Sequence, residues 1–260
     1  MDLTDVTYEI SDRIATITMS RPERLNAFGG KLGPDLELAF KEAEADRDVR
    51  VVILTGAGRA FCSGLDLKER SQSSDRPRSA RRWLRGLAMP RIFLNMNKPI
   101  IAAVHGPAVG VGFELALLCD YRIGSNEARM GDIHVQLGIV QDCAGALTLP
   151  KIVGWANACK ILLTGELFGA DELHQMGVLN EVVPADSLQE TARDFASRIA
   201  RNAPLAVQMT KRLMRMSQRA ELDDAIDFSY LLMGTLQQTE DWTEGFSARV
   251  ERRQPEFQGR

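Results

Sequence analysis

Apolar positions along this chain change their period from one segment to the next, and the changes outline its elements. Tyr8 to Ile10 and Ile14 to Met19 (IATITM) are rich in β-branched residues and flank Ser11-Asp12-Arg13, a pattern that predicts a β-hairpin. From Phe28 to Glu44 the period lengthens, with Leu32, Leu36 and Phe40 four apart, as on one face of a helix. Val49 to Leu54 (VRVVIL) and Ile100 to Val104 (IIAAV) are nearly continuous apolar runs, as expected of strands buried on both faces. Gly106, Gly110 and Gly112 then open an apolar helix that ends near Cys119, and Tyr121 to Gly124 resumes a strand. Strands alternating with helical crossovers predict βαβ units and a largely parallel sheet.

Beyond residue 150 the strand signals thin out. Ala156 to Leu163 is helical, and Gly177 with Val178-Leu179 marks a helix stop and a short extended piece. From Ser187 onward the pattern is helical. Ser187-x-x-Glu190 has the form of a capping box, with Leu188, Ala192, Phe195, Ile199 and Ala200 on one face behind it. Pro204 suits the first turn of the next helix, whose Leu205, Met209 and Leu213 repeat every four residues. Glu221 to Leu236 forms a third helix. The one biased stretch, residues 71 to 91, is polar and Arg-rich and reads as a loop with a short helix.

Composition narrows the function classes. The chain has 260 residues, 45% hydrophobic and 26% charged, with 32 Lys plus Arg against 35 Asp plus Glu. Its net charge of −3 argues against a dedicated nucleic-acid binder. No apolar run approaches the roughly 18 residues of a membrane helix. Met1, Asp2, Asp5 and Glu9 show no basic or apolar leader, so a cytoplasmic protein is expected. Cys62, Cys119, Cys143 and Cys159 are too scattered for a disulfide framework or a zinc site.

Parallel α/β sheets hold ligands where the strands end. Two loops there are unusual, Thr55 to Glu69 (TGAGRAFCSGLDLKE) and His105 to Asp120 (HGPAVGVGFELALLCD). Both carry glycines that let backbone approach a ligand closely, and the second runs directly into a helix. Free amides at a helix start are donors with partial positive charge, suited to an oxyanion. A dinucleotide fingerprint is not completed, because Leu115 stands where its third glycine belongs. The Gly-Lys-Ser/Thr of a phosphate loop is missing too.

Arg21-Pro22 with Asn26-Ala27, Gly58 to Leu67, Asn97 to Asp120, Gly138 to Pro150, Leu163-Thr164-Gly165 and the tail EGFSARVERRQPEFQGR occur in an order and spacing that is specific. Over nearly its whole length the chain resembles the crotonase superfamily, the enoyl-CoA hydratase/isomerase proteins. The resemblance implies an α/β fold, a crotonase-like spiral of ββα units with a helical C-terminal trimerisation region. It divides the chain into a core with the acyl-CoA site over residues 1–200 and a helical oligomerisation region over 201–260, in a homotrimer or homohexamer. By motif position, the backbone amides of Leu65 and Val111 would grip the thioester oxygen. Val111 departs from the glycine frequent there, which keeps the amide but narrows the pocket. Arg24, Ala60, Ser63, Leu65, Asp66, Leu67 and Phe257 would contact the coenzyme A thioester, which is the substrate; no separate cofactor or metal is implied. The tail departs as well, with Ala248-Arg249 where the family often has Ala-Phe.

Hydratases of the family carry two glutamates twenty residues apart. Glu114 stands at the first position and His134 at the second. Histidine can exchange protons near neutral pH. Asp142 falls where several isomerases of the superfamily place an aspartate that moves a proton along the acyl chain, and where aromatic acyl-CoA dehalogenases place a nucleophile. A His followed by an Asp is also similar to carbon–carbon hydrolases that cleave β-diketones, although their Asp falls one residue later.

Each of these residues has a plainer reading. Glu114 could be a helix N-terminal charge, His134 an exposed loop residue and Asp142 a helix cap. His105 is expected to end its strand in a satisfied hydrogen bond, and His174 to be inert. Cys62 and Cys143 read as small buried hydrophobes. Arg76, Arg78, Arg81, Arg82 and Arg85 form a solvated face that could also meet phosphates. The expected activity is proton transfer beside a thioester, either hydration or isomerisation of a 2-enoyl-CoA through Glu114 and Asp142 with His134 assisting. The alternatives are hydrolysis of a β-keto or β-diketone carbon–carbon bond by His134 and Asp142, and a non-catalytic acyl-CoA binder.

Overall fold

A computed structural model describes residues 1–72 and 89–260. Arg76, Arg78, Arg81, Arg82 and Arg85 lie outside the described residues. The N-terminal hairpin forms as predicted, from β1 (Val6–Ser11) and β2 (Ile14–Met19) in antiparallel register. Asp12 and Arg13 at its tip both have positive φ, 53° and 65°, the backbone of a tight turn whose twist matches that of the strands.

The first helix, α1 (Leu32–Ala45), begins later than its apolar period suggests. Phe28, predicted to open it, instead pairs with Leu65 across a β-bridge. Its amide donates to the Gly64 carbonyl at 2.6 Å, and its carbonyl accepts from the Asp66 amide. A tertiary pairing therefore overrides the local helical pattern and ties one candidate loop to the chain before α1. The strand predicted over 49 to 54 is shifted by two residues, to β3 (Val51–Gly56).

After β3 come α2 (Leu67–Gln72), α3 (Met89–Asn95), β4 (Ile100–Val104), β5 (Pro107–Val109), α4 (Val111–Leu118), β6 (Tyr121–Ser125) and β7 (Arg129–Gly131). They lead into α5 (Gly145–Thr164), β8 (Phe168–Gly169), α6 (Ala170–Gln175) and β9 (Glu181–Val183). The main sheet has six strands in the order β1-β2-β3-β4-β6-β9, all parallel neighbours except the hairpin. A smaller sheet pairs β5, β7 and β8.

Side chains in the central strands sort by parity, since successive Cβ atoms point to opposite faces. Val52, Leu54, Ile100, Ala102 and Val104 enter the main core with α1 and α4. Val51, Ile53, Ile101 and Ala103 pack on the other face against α7 (Leu188–Ala200), through Leu188, Ala192, Ala196 and Ala200. The capping box predicted for α7 is not made. Ser187 closes a 3₁₀ turn and has helical angles, so its hydroxyl bonds Asp186 and gives the helix no side-chain cap. The chain ends in α8 (Pro204–Ser217), α9 (Leu222–Leu236) and α10 (Glu240–Glu251). Among the described residues no helix is long and apolar enough to cross a membrane.

Candidate active site

The two Gly-containing loops lie side by side. Cys62 pairs with Ala108, its amide donating to the Pro107 carbonyl and its carbonyl accepting from the Val109 amide. The contact is close enough that a Cβ on Gly112 would stand 2.2 Å from the Cys62 carbonyl oxygen, so only glycine fits there. Asn26, fully buried, holds the first loop from beneath by donating to the carbonyls of Ala57 and Ala60 at 2.9 and 2.7 Å. Neither the Leu65 nor the Val111 N–H has a hydrogen-bond acceptor among the described residues. Val111 is the first residue of α4, where amides lack intrahelical partners and the helix dipole is positive.

All eight residues of α4 are buried, Glu114 among them. A carboxyl group in that setting needs hydrogen bonds, and the turn before α5 supplies them. Glu114 Oε1 accepts from the Gly145 amide at 2.6 Å and from the Cys143 amide at 3.2 Å. Ala144 holds this turn in a left-handed conformation, φ 73°, at the start of α5. Burial pushes the Glu114 pKa from 4.5 up to about 7. The Gly145 amide and His134 oppose the rise, while Asp132 and Asp142 add to it. Glu114 is thus poised to exchange a proton near neutrality.

His134 opens a 3₁₀ turn and is buried, so the exposed-loop reading does not hold. Its Nε2 stands 3.9 Å from Glu114 Oε2, too far for a direct hydrogen bond, yet near enough for one oxygen atom to touch both. On the opposite side its Nδ1 meets Asp132 Oδ1 at 2.5 Å. That contact is the main reason its pKa lies above the ordinary histidine value, against the downward pull of burial. Asp142 is half-buried, with a carboxyl oxygen within 4.8 Å of Glu114 and of the Cys143 sulfur. The N-cap position of α5 is taken by Ala144, two residues after Asp142. The structure therefore brings His134 and Asp142 each close to Glu114. It adds Asp132, which the sequence reading missed. The Asp-x-His spacing, a carboxyl group two residues before a histidine, was the available signal.

The remaining predicted residues fall into two places. Arg24, Ala60, Ser63, Leu65, Asp66 and Leu67 sit along the first loop and its support. The Ser63 amide donates to Leu25 O, and its hydroxyl reaches Arg24 O at 3.4 Å. Asp66 accepts from the Glu69 amide at 3.1 Å, which with Arg24 and Arg21 nearby lowers its pKa. Leu65 and Leu67 are partly exposed. Phe257 is elsewhere in the chain, beside Gly245 and with its carbonyl accepting from Arg50. His105 ends its strand on the Gly58 carbonyl at 3.1 Å, as expected, and burial lowers its pKa. His174 is partnered by the Leu179 carbonyl. Burial pushes the Cys62 thiol up to about 12 and the Cys143 thiol up as well, which fits inert hydrophobes.

Comparison with known proteins gives the family of the chain. Residues 9–260 match the family model described as enoyl-CoA hydratase/isomerase. An (E)-benzylidenesuccinyl-CoA hydratase of Thauera aromatica is 40% identical, over 98% of this chain and 99% of its own. A 2,3-dehydroadipyl-CoA hydratase of Escherichia coli is 36% identical, over 95% and 96%. The crystal structure of an enoyl-CoA hydratase from Bacillus anthracis superposes with a TM-score of 0.92 at 30% identity, covering 99% of this chain and 100% of that one. With its loops, sheets and C-terminal helices in the arrangement that the sequence resemblance implied, this chain is an enzyme of the enoyl-CoA hydratase/isomerase family of the crotonase superfamily.

Proposed function

We propose that the protein hydrates a 2-enoyl-CoA thioester, with Glu114 and His134 handling the protons and the Leu65 and Val111 amides holding the thioester oxygen. The observation that carries this reading is the 3.9 Å gap between Glu114 Oε2 and His134 Nε2, beside two amides without acceptors. A water in that gap loses a proton to one group as its oxygen adds to C3 of the acyl chain. The negative charge that develops on the thioester oxygen is met by the two amides, one such donor being worth about 2.7–4 kcal/mol. C2 then takes a proton from the other group. To Asp142, at the edge of the cluster, we assign the tuning of Glu114 or the receipt of a proton from the chain.

Two relatives whose names specify carboxylate-bearing acyl groups support a panel that includes such thioesters. The test is mass spectrometry of 2-enoyl-, 3-enoyl- and β-keto-acyl-CoA substrates incubated with the enzyme in heavy water. Addition of one water to a 2-enoyl thioester is the expected result. Deuterium uptake with a moved double bond would instead make Asp142 the leading base of an isomerase, and scission would favour the carbon–carbon hydrolase. Retention of every thioester unchanged, with tight binding, would point to the binder. A homotrimer or homohexamer is the assembly we propose, supported by the exposed apolar side chains of α9 and α10, among them Leu222, Tyr230, Leu231 and Val250.

A further inference from the structure

Asp132 has no role in the reading above, yet it lies within the cluster beside Glu114 and His134. It is fully buried, and its Oδ1 accepts from the His134 backbone amide at 3.0 Å and lies 2.5 Å from the His134 ring Nδ1. Gln141 Nε2 approaches the same oxygen at 3.4 Å. Oδ2 is buried with no hydrogen-bond partner among the described residues. A buried carboxyl oxygen left unpaired is costly and calls for an explanation. A carboxyl group that accepts from both the backbone and the ring of one histidine fixes the position and rotation of that ring together. It also fixes the tautomer, since a proton on Nδ1 leaves the lone pair on Nε2. The groups that face the ring are Asp132 after β7, Glu114 on α4 and Asp142 before α5.

We propose that Asp132 is the positioning residue of this active site, holding His134 as the Nδ1–H tautomer so that Nε2 is the nitrogen that exchanges protons across the gap to Glu114. The inference rests on the proposed role of His134. Asp132 would not touch the substrate; it acts through the ring.

The test uses the full-length enzyme and its best 2-enoyl-CoA substrate. Asp132→Asn keeps the shape and, with its oxygen still on the His134 amide, removes the negative charge that stabilises the ring as Nε2 takes up a proton. The expected loss in kcat is about 10- to 100-fold, with KM changed by no more than a few-fold, because a hydrogen bond to a charged acceptor is roughly twice as strong as one to a neutral amide. Loss of the negative charge should also move the limb of the pH–rate profile carried by His134 to lower pH, which simple loosening would not do. In a His134→Gln background, Asp132→Asn should have no further effect on kcat. A full additional loss there would overturn the proposal, because it would mean that Asp132 acts other than through the ring. If His134→Gln lowers turnover while Asp132→Asn does not, the positioning role fails and the role of His134 stands. If His134→Gln leaves turnover intact, the role of His134 falls and takes this inference with it. Should Asp132→Asn fail to fold, ¹⁵N NMR of the wild-type histidines decides the matter. With only three histidines in the chain, a neutral His134 protonated at Nδ1 supports the proposal, and protonation at Nε2 refutes it.

Discussion

The amide of Gly145 points at Oε1 of Glu114 from 2.6 Å, and a Cβ on Gly145 would lie 2.7 Å from that same oxygen. Backbone and carboxyl are thus in contact with no room for a methyl group. Gly145→Ala should push the Glu114 carboxyl out of line with His134 and lower kcat about 10- to 100-fold, since small displacements of reacting groups cost about that much. Circular dichroism should stay close to wild type. An alanine variant of undiminished kcat would show that the fit between these two residues does not matter to the reaction.

Burial of Glu114 also leaves a mark on stability. Its pKa rises from 4.5 to about 7 on folding, so the unfolded chain loses this proton first as pH increases. The stabilisation from a neutral Glu114 is full below pH 4.5 and is lost as pH climbs to about 7, a change of about 3 kcal/mol at one pH unit per 1.36 kcal/mol. Glu114→Gln stays neutral throughout and can still accept from Gly145. Its thermal midpoint relative to wild type should therefore be higher at pH 8 than at pH 5, and calorimetry at the two values measures this. Turnover should fall by orders of magnitude in the same variant. A midpoint difference that is flat with pH would mean that Glu114 titrates alike in both states.

The Val111 amide can be tested without altering a functional side chain. Val111 is the first residue of α4, a position at which helices accept proline because its N–H has no intrahelical partner. Val111→Pro deletes that donor. The expected loss in kcat is about 10²- to 10³-fold, the size found on removing one oxyanion donor, while the affinity for free coenzyme A changes little. Equal losses in kcat and in coenzyme A affinity would assign the amide to binding rather than to the developing charge.

Much of this site was legible in the sequence, for identifiable reasons. The buried strands β3 and β4 declare themselves as apolar runs, and Gly110-Val111-Gly112 leads directly into an apolar helix that carries one acid, Glu114. What could not be read were long-range pairings. Phe28 looks like the start of α1 by period, and only the bridge to Leu65 takes it out of the helix. Ser187 and Glu190 have the letters of a capping box, but the preceding 3₁₀ turn gives Ser187 helical angles. Asp132 was overlooked because its importance depends on being buried against a neighbour two residues on, and burial of a loop residue leaves no periodic trace. The donors to Glu114 were invisible for another reason. They are backbone amides of Cys143 and Gly145, and amides carry no sequence signature.

The outer surface makes the last prediction. Leu222, Tyr230 and Leu231 on α9 are 74%, 72% and 66% exposed, and Val250 on α10 is 82% exposed. Single exposed apolar residues are ordinary, but several large ones on neighbouring helices mark an association surface. A cyclic assembly would bury them. Sedimentation at micromolar concentration should then give a trimer or a multiple of it. Leu231→Arg should yield smaller species, because a guanidinium without a partner at a buried contact is strongly unfavourable. If the wild-type enzyme sediments as a monomer, this surface serves some other purpose. If Leu231→Arg assembles normally, the interface does not run through the middle of α9.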